Sequence, residues 1–315
     1  MSAPNLSLEL SPSTFDLRTN ELLHHYRTTL YASVADDCPP TVWCVAIPQL
    51  GLEHPFILSG LLAISALHLA SMVPQRRQEL HILAFAQQSL ALPSFRSVMR
   101  SPKPENIPAI FIFAASIVYY VMASPDQVDR CRLPRRNDEH PHWFQTMRGF
   151  TTLLGNHRTQ LAGGPLGALV HFKDGKNHAP EYPDDGRLAK LHGMFSSDMS
   201  SSTPLSERIV ENCKGALEDL RQIAGLSYSA TSFNGKTFAC MWPGDLSQEF
   251  AELVYDRDPR ALVIMAHYCV LLKRLDYVWF LESLGTGLLE NIRQALAEEW
   301  LPWIAWALEQ PVLTN

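Results

Sequence analysis

Cysteine patterns that would bind metal or form disulfides are missing. Cys38, Cys44, Cys131, Cys213, Cys240 and Cys269 are scattered, and no C-x-x-C pair could grip a zinc ion, so reduced thiols and no metal cofactor are expected. Charge is scarce, at 18% of 315 residues, and a basic excess is absent: 26 Lys and Arg against 32 Asp and Glu leave −6. A duplex-binding face normally displaces phosphate counterions with surplus positive charge, so direct nucleic-acid binding is not expected. The one basic cluster, Arg130, Arg132, Arg135 and Arg136, is flanked by Asp126, Asp129, Asp138 and Glu139. It reads as a mixed solvated loop, with a weak nuclear-import signal as the alternative.

Catalytic signatures are lacking too. There is no H-E-x-x-H, no phosphate-cradling G-x-x-x-x-G-K and no G-x-S-x-G, since residues 225–229 read GLSYS. Gly285-Thr286-Gly287 lacks a third glycine and a preceding strand, and reads as a helix junction. No segment alternates like a strand between hairpin turns. Met1 to Pro12 shows no basic region followed by an apolar one, so no secretory leader is read and a nuclear or cytoplasmic protein is expected.

What is abundant is hydrophobic residues, at 46%, enough for a large core. Two runs, Pro55–Val73 and Ile107–Ala123, approach membrane-spanning length, but Ser59, Gly60, Ser65, His68, Ser116, Tyr119 and Tyr120 interrupt them. Buried helices rather than membrane spans are expected. Leu23, Tyr26, Leu30 and Val34 mark a helix over about 17–34 with Asp16 as its cap, and His54-Pro55 opens a central helix. Further helices are read at 75–92, with Leu80, Leu83, Ala84 and Leu90 inward; from the cap Asn106 to Ser124-Pro125; and at 143–154. Ile209, Cys213, Ala216, Leu220 and Ile223 form another stripe. Pro243-Gly244-Asp245 is read as a helix start, Asp258-Pro259 as a cap and first turn, and Trp300, Trp303 and Trp306 as one face of the last helix.

The expected fold is all-α: a flexible N-terminus over 1–16, then one domain over 17–309 of about ten helices around an apolar pocket. Residues 155–203 are read as a variable loop with one short helix near 188–195.

His140-Pro141-His142 beside Asp138 and Glu139 is the best local metal-type cluster, yet a charged, proline-stiffened loop is the better reading. His68 and His267 lie in strongly apolar helices, where an imidazole needs a partner such as a backbone carbonyl or a Tyr hydroxyl. Alternatively, with Tyr119, Tyr120 and Tyr268 they supply the few polar groups of an apolar ligand cavity.

The runs Glu21-Leu22-Leu23-His24-His25-Tyr26, Trp43 with Ile47-Pro48, and Glu53-His54-Pro55 through Leu69-Ala70 carry a resemblance. So do Trp143 with Arg148-Gly149, Trp242-Pro243, Pro259 through Tyr268, and Trp300-x-x-Trp303-Ile304-x-Trp306. In this order and spacing they resemble the fungal-specific regulatory domain of binuclear zinc-cluster transcription factors, of the sterol uptake control type. The resemblance covers nearly the whole chain except 155–203. It implies an all-α ligand-sensing and dimerising module whose apolar pocket, among the C-terminal helices, takes a sterol-like lipid and controls transcription. The candidate ligand-binding set is then His68, Tyr119, Tyr120, Trp143, His267, Tyr268 and Trp279.

The family's run of six closely spaced cysteines is absent here. The expected role is therefore a regulator without its own zinc cluster, sensing a sterol or other terpenoid or polyketide. It would control a fungal metabolic gene set, including secondary metabolism, as a homodimer or with a full-length zinc-cluster relative. A zinc cluster encoded upstream of Met1 is a further alternative. An enzyme reading also stands: the same pocket could fold a substrate for cyclisation or isomerisation, with His68, His267, Tyr119 and Tyr120 as acid–base groups.

Overall fold

A computed structural model describes residues 17–35, 38–123, 126, 130–137, 142–170, 182–195, 204–229 and 233–312. Expectations about residues 1–16, the Asp16 cap, Ser124-Pro125, Asp129, Asp138, Glu139, His140 and residues 196–203 fall outside that set.

Every described element is helical. The first helical stretch is α1 (Leu17–His25), a π-helical turn over Tyr26–Leu30, and α2 (Tyr31–Ala35). A second π turn, Val42–Ala46, leads into α3 (Ile47–Glu53). Tyr26 joins the two wide turns by donating its hydroxyl to the Trp43 carbonyl at 2.6 Å. Periodicity finds the helix but not the π turns, because one extra residue in a turn leaves the apolar stripe nearly intact.

Pro55 opens α4 (Pro55–Met72), as its neutral first-turn position favours. This helix has no polar face, so it buries itself between α5 (Arg77–Met99) and α6 (Ile107–Met122). Ser65 and Ser116 satisfy their hydroxyls within their own helices, donating to Leu61 and Phe113 carbonyls at 2.7 Å. The α4 and α6 stretches are long and apolar enough to cross a bilayer, yet each is buried against the other here.

α5 departs from expectation in two ways. Leu90 is exposed, while Leu80, Ala84 and Gln88 face inward. The helix also runs through Pro93 to Met99. Pro93 removes the helical donor to the Ser89 carbonyl, and both residues are exposed, so the lost bond falls on the solvent face of the helix. Asn106 closes a 3-10 turn without capping α6 through its side chain.

α7 (Trp143–Ala162) is longer than expected and absorbs 155–162 of the anticipated loop. Short helices α8 (Gly167–Val170) and α9 (Asp185–Lys190) follow, the latter continuing as a 3-10 turn to Phe195 near the expected place. α10 (Pro204–Ser229) buries Cys213, Ala216, Leu220 and Ile223 as the stripe indicated. Pro243-Gly244-Asp245 ends α11 (Phe233–Asp245) rather than starting a helix; Gly244 lies so close to Thr151 of α7 that a Cβ would collide with it. The next helix, α12 (Gln248–Tyr255), is capped by Ser247.

α13 (Pro259–Arg274) is the most buried helix, followed by α14 (Leu284–Ala295) and α15 (Leu301–Glu309). Asp258 caps α13, accepting from the Arg260 N–H at 2.9 Å and the Ala261 N–H at 3.4 Å, and it also holds the Arg260 guanidinium. Asp258→Ala should therefore lower unfolding stability by about 2 kcal/mol, read from the urea midpoint.

The core has three clusters. One unites α7 with the helices from α9 onward; a second joins the N-terminal turns with α4, α6 and part of α7; a third, smaller one lies between α1, α4 and α5. Trp279, in the loop between α13 and α14, packs against all three.

Candidate functional site

His68, deep in α4, finds its partner in His25 at the end of α1: Nε2 of His25 lies 2.9 Å from Nδ1 of His68. One ring donates and the other accepts, which requires at least one neutral imidazole. Burial, followed by the nearness of His25, pushes His68 down to about 4, and burial lowers His25 as well. The Trp279 ring covers His68 with centroids 4.9 Å apart. Trp279 also meets Phe280 edge-on at 5.4 Å, and Phe280 meets Tyr119 edge-on at 4.9 Å. Thus His68, Trp279 and Tyr119 of the candidate set belong to one aromatic chain. Tyr120 turns instead to the third cluster, where burial raises its hydroxyl pKa.

The other candidates lie elsewhere. Nδ1 of His267 is 2.9 Å from the Val263 carbonyl one turn back, and its ring stacks on Trp306 at 5.5 Å. Burial pushes its pKa down to about 4. Tyr268 donates to the Ala239 carbonyl at 3.0 Å and packs on Trp242. Trp143 is buried between His142 and Phe144. Hence the four acid–base candidates of the enzyme reading, His68, His267, Tyr119 and Tyr120, do not share one set of contacts.

A cavity of about 130 Å³ lies at the seam between the two large clusters. Its walls come from α2, the second π turn, α3, α4, α6, α7, α8, α11 and Phe280. Phe111, Leu61, Met147, Phe150 and Met241 make it apolar, and its polar fringe is Ser33, Ser116, Tyr119, Lys236 and Thr237. Only Tyr119 of the candidate set lines it. Trp43 is part of the same wall. The sequence reading missed this wall because its polar residues come from three separate segments, none of which forms a motif.

His142 uses both ring nitrogens: Nδ1 accepts from the Phe144 N–H at 3.3 Å, and Nε2–H donates to the Arg132 carbonyl at 3.0 Å. Among the described residues, no three His, Cys, Asp or Glu side chains converge as metal ligands. The basic cluster is not uniformly solvated either. Arg130 is buried, donating to the Met122 carbonyl at 2.9 Å and to the Glu282 carbonyl. It thereby satisfies the last turn of α6, where a cation is favoured. Arg136 pairs with Glu252 and Asp256.

No family model matches the chain. It is 24% identical to a Zn(2)-C6 fungal-type transcription factor of Gibberella zeae, over 93% of this chain and 61% of that protein. It is also 23% identical to sterol uptake control protein 2 of Candida albicans, over 93% of this chain and 44% of the relative. For sterol uptake control protein 2 of Saccharomyces cerevisiae the identity is 25%, over 86% and 30%. The chain spans less than two thirds of the length of each of these relatives. These similarities, at low identity and in one all-α chain, support a place in a fungal transcription-factor family.

Proposed function

We propose that this chain is a regulatory module of a fungal transcriptional regulator, and that an apolar small molecule in the cavity between its two main clusters sets its activity. The observation that carries the sensing part is the cavity itself. Its walls are drawn from both clusters, so an occupant binds the N-terminal and C-terminal halves together and stabilises their docked arrangement. A volume of about 130 Å³ is close to the roughly 150 Å³ engineered cavity that takes benzene, so it accepts one ring or one branched unit. A complete sterol nucleus would need the wall to open. The regulated genes are metabolic, the site of action is the nucleus, and the protein partner is a second copy of the chain or a zinc-cluster relative.

The test is genome-wide transcript measurement in the host, comparing gene deletion with an Ala115→Leu allele that fills the cavity from α6. Both should disturb the same set of metabolic transcripts. Unchanged transcripts on deletion would overturn the regulatory reading; an Ala115→Leu allele indistinguishable from wild type would overturn the sensing one.

A further inference from the structure

We infer that the outer face of α5 is a docking surface for an acidic amphipathic helix of a partner protein. This goes beyond the sensing reading and does not depend on the cavity. On its inner side α5 buries Leu80, Ala84, Gln88 and Ala91. On the opposite side Ile82, Phe85 and Leu90 are 62%, 66% and 68% exposed, and Ala86, Ser89 and Pro93 beside them are exposed too. At helical spacing these six residues fall within one broad stripe, so they form a continuous uncharged patch rather than scattered apolar positions. Such patches mark interaction sites. At its N-terminal end the patch borders a shallow groove between Pro74, Arg77, His81, Ile82 and Phe85.

Charge selects the occupant. No Lys or Arg occurs from Gln78 to Phe95, and no Asp or Glu from Leu80 to Pro104. Arg77 bounds the patch at one end, and Arg96, Arg100 and Lys103 bound it at the other. Arg77 and Arg96 stand about 28 Å apart along the helix axis. All four cations are exposed, and none pairs with a carboxylate among the described residues. Glu79, close to Arg77 in sequence, is taken by Arg76. Two copies docked through this face would set arginine against arginine: antiparallel helices oppose Arg77 to Arg96 and Arg100, and parallel ones oppose each to its own copy. A helix lying on a bilayer carries its cations along the flanks of its apolar stripe, whereas here they stand at its ends. The occupant that fits is a helix of about five turns, with apolar residues at i, i+3, i+4 and i+7 and Asp or Glu at both ends.

The experiment is fluorescence anisotropy of the full chain with a labelled helical peptide of about 20 residues built from Leu, Ala and Glu. Its leucines follow that spacing and its glutamates occupy both ends; a twin carries Lys for every Glu. Wild type should bind the acidic peptide at least tenfold more tightly than the twin. Ile82→Ser/Phe85→Ser should weaken that binding at least tenfold, with the urea midpoint of wild type because both side chains are exposed. Arg96→Glu/Arg100→Glu, which leaves the apolar patch intact, should reverse the preference in favour of the twin. No binding of the acidic peptide, equal affinity for the two peptides, binding that survives Ile82→Ser/Phe85→Ser, or a preference that survives Arg96→Glu/Arg100→Glu would each overturn the inference. Sedimentation velocity and flotation with phosphatidylcholine–phosphatidylserine vesicles test the other occupants. Self-association or vesicle binding that disappears in Ile82→Ser/Phe85→Ser would assign the face to a second copy or to a membrane instead. The transcript comparison decides the sensing reading independently of all these outcomes.

Discussion

Replacing Gly285 with alanine should destabilise the protein by about 2 kcal/mol, and with valine by about 3 kcal/mol or more. Gly285 is in the first turn of α14, where α14 presses onto α13. A Cβ there would stand 2.7 Å from the Lys273 amide nitrogen, 2.8 Å from the Cys269 carbonyl oxygen and 2.8 Å from the Leu272 Cβ. Two of these atoms are helix backbone and cannot rotate away, so the helices must separate along a fully buried seam. In α7, by contrast, a Cβ on Gly155 meets nothing within 4 Å. Gly155→Ala, which only removes backbone freedom from a helix interior, should stabilise by roughly 0.5–1 kcal/mol. Urea midpoints at constant slope provide the measurement. A Gly285→Ala protein as stable as wild type would sink the close-packing account of the Gly-Thr-Gly motif.

That motif shows where the chain is legible and where it is not. It reads as a junction between helices, but the structure places it inside the first turn of α14, and its purpose, helix–helix contact at a distance no side chain allows, depends on α13, which no local pattern reveals. Local signals did well where physics is local: Pro55 and Asp258-Pro259 start helices where expected, and the all-round apolar sequence of α4 demanded burial on every side. They failed where a distant partner decides. Pro243-Gly244-Asp245 looks like a start, but Gly244 is needed to let α11 close on Thr151. An imidazole at His68 needs a partner, and in sequence His25 is only part of a His-His-Tyr run; that the two rings meet depends on how α1 crosses α4. The cavity was the least legible, because Ser33, Trp43, Tyr119 and Lys236 share no spacing.

Acid should unfold this protein in a window set by its buried histidines. His68 and His267 are both pushed down to about 4 in the folded state, below the ordinary 6.5, and His25 is lowered too. A histidine whose folded value is depressed favours the fold while neutral, so its contribution is complete above pH 6.5 and is lost as pH falls from 6.5 toward 4. Glu21, one turn from His25, favours its charged form, and His24 opposes it; Glu21 is already engaged by Arg76, which also holds Glu79. Protonating both rings of the His25–His68 pair sets two cations against each other and removes the acceptor. The lowered carboxylates act elsewhere: Glu290, held at about 2 by Arg293 and Gln294, contributes above its ordinary 4.5 and is lost only below it. Each of His68 and His267 should therefore cost roughly 2 kcal/mol by pH 4.5. Urea unfolding at stepped pH should show this decline. A His25→Phe/His68→Leu protein should lose about half of it, and adding His267→Phe, which keeps a ring against Trp306, should flatten the curve between 6.5 and 4.5. A wild-type curve already flat in that window, or a triple variant with the same slope as wild type, would show that these imidazoles do not govern the acid limit of the fold.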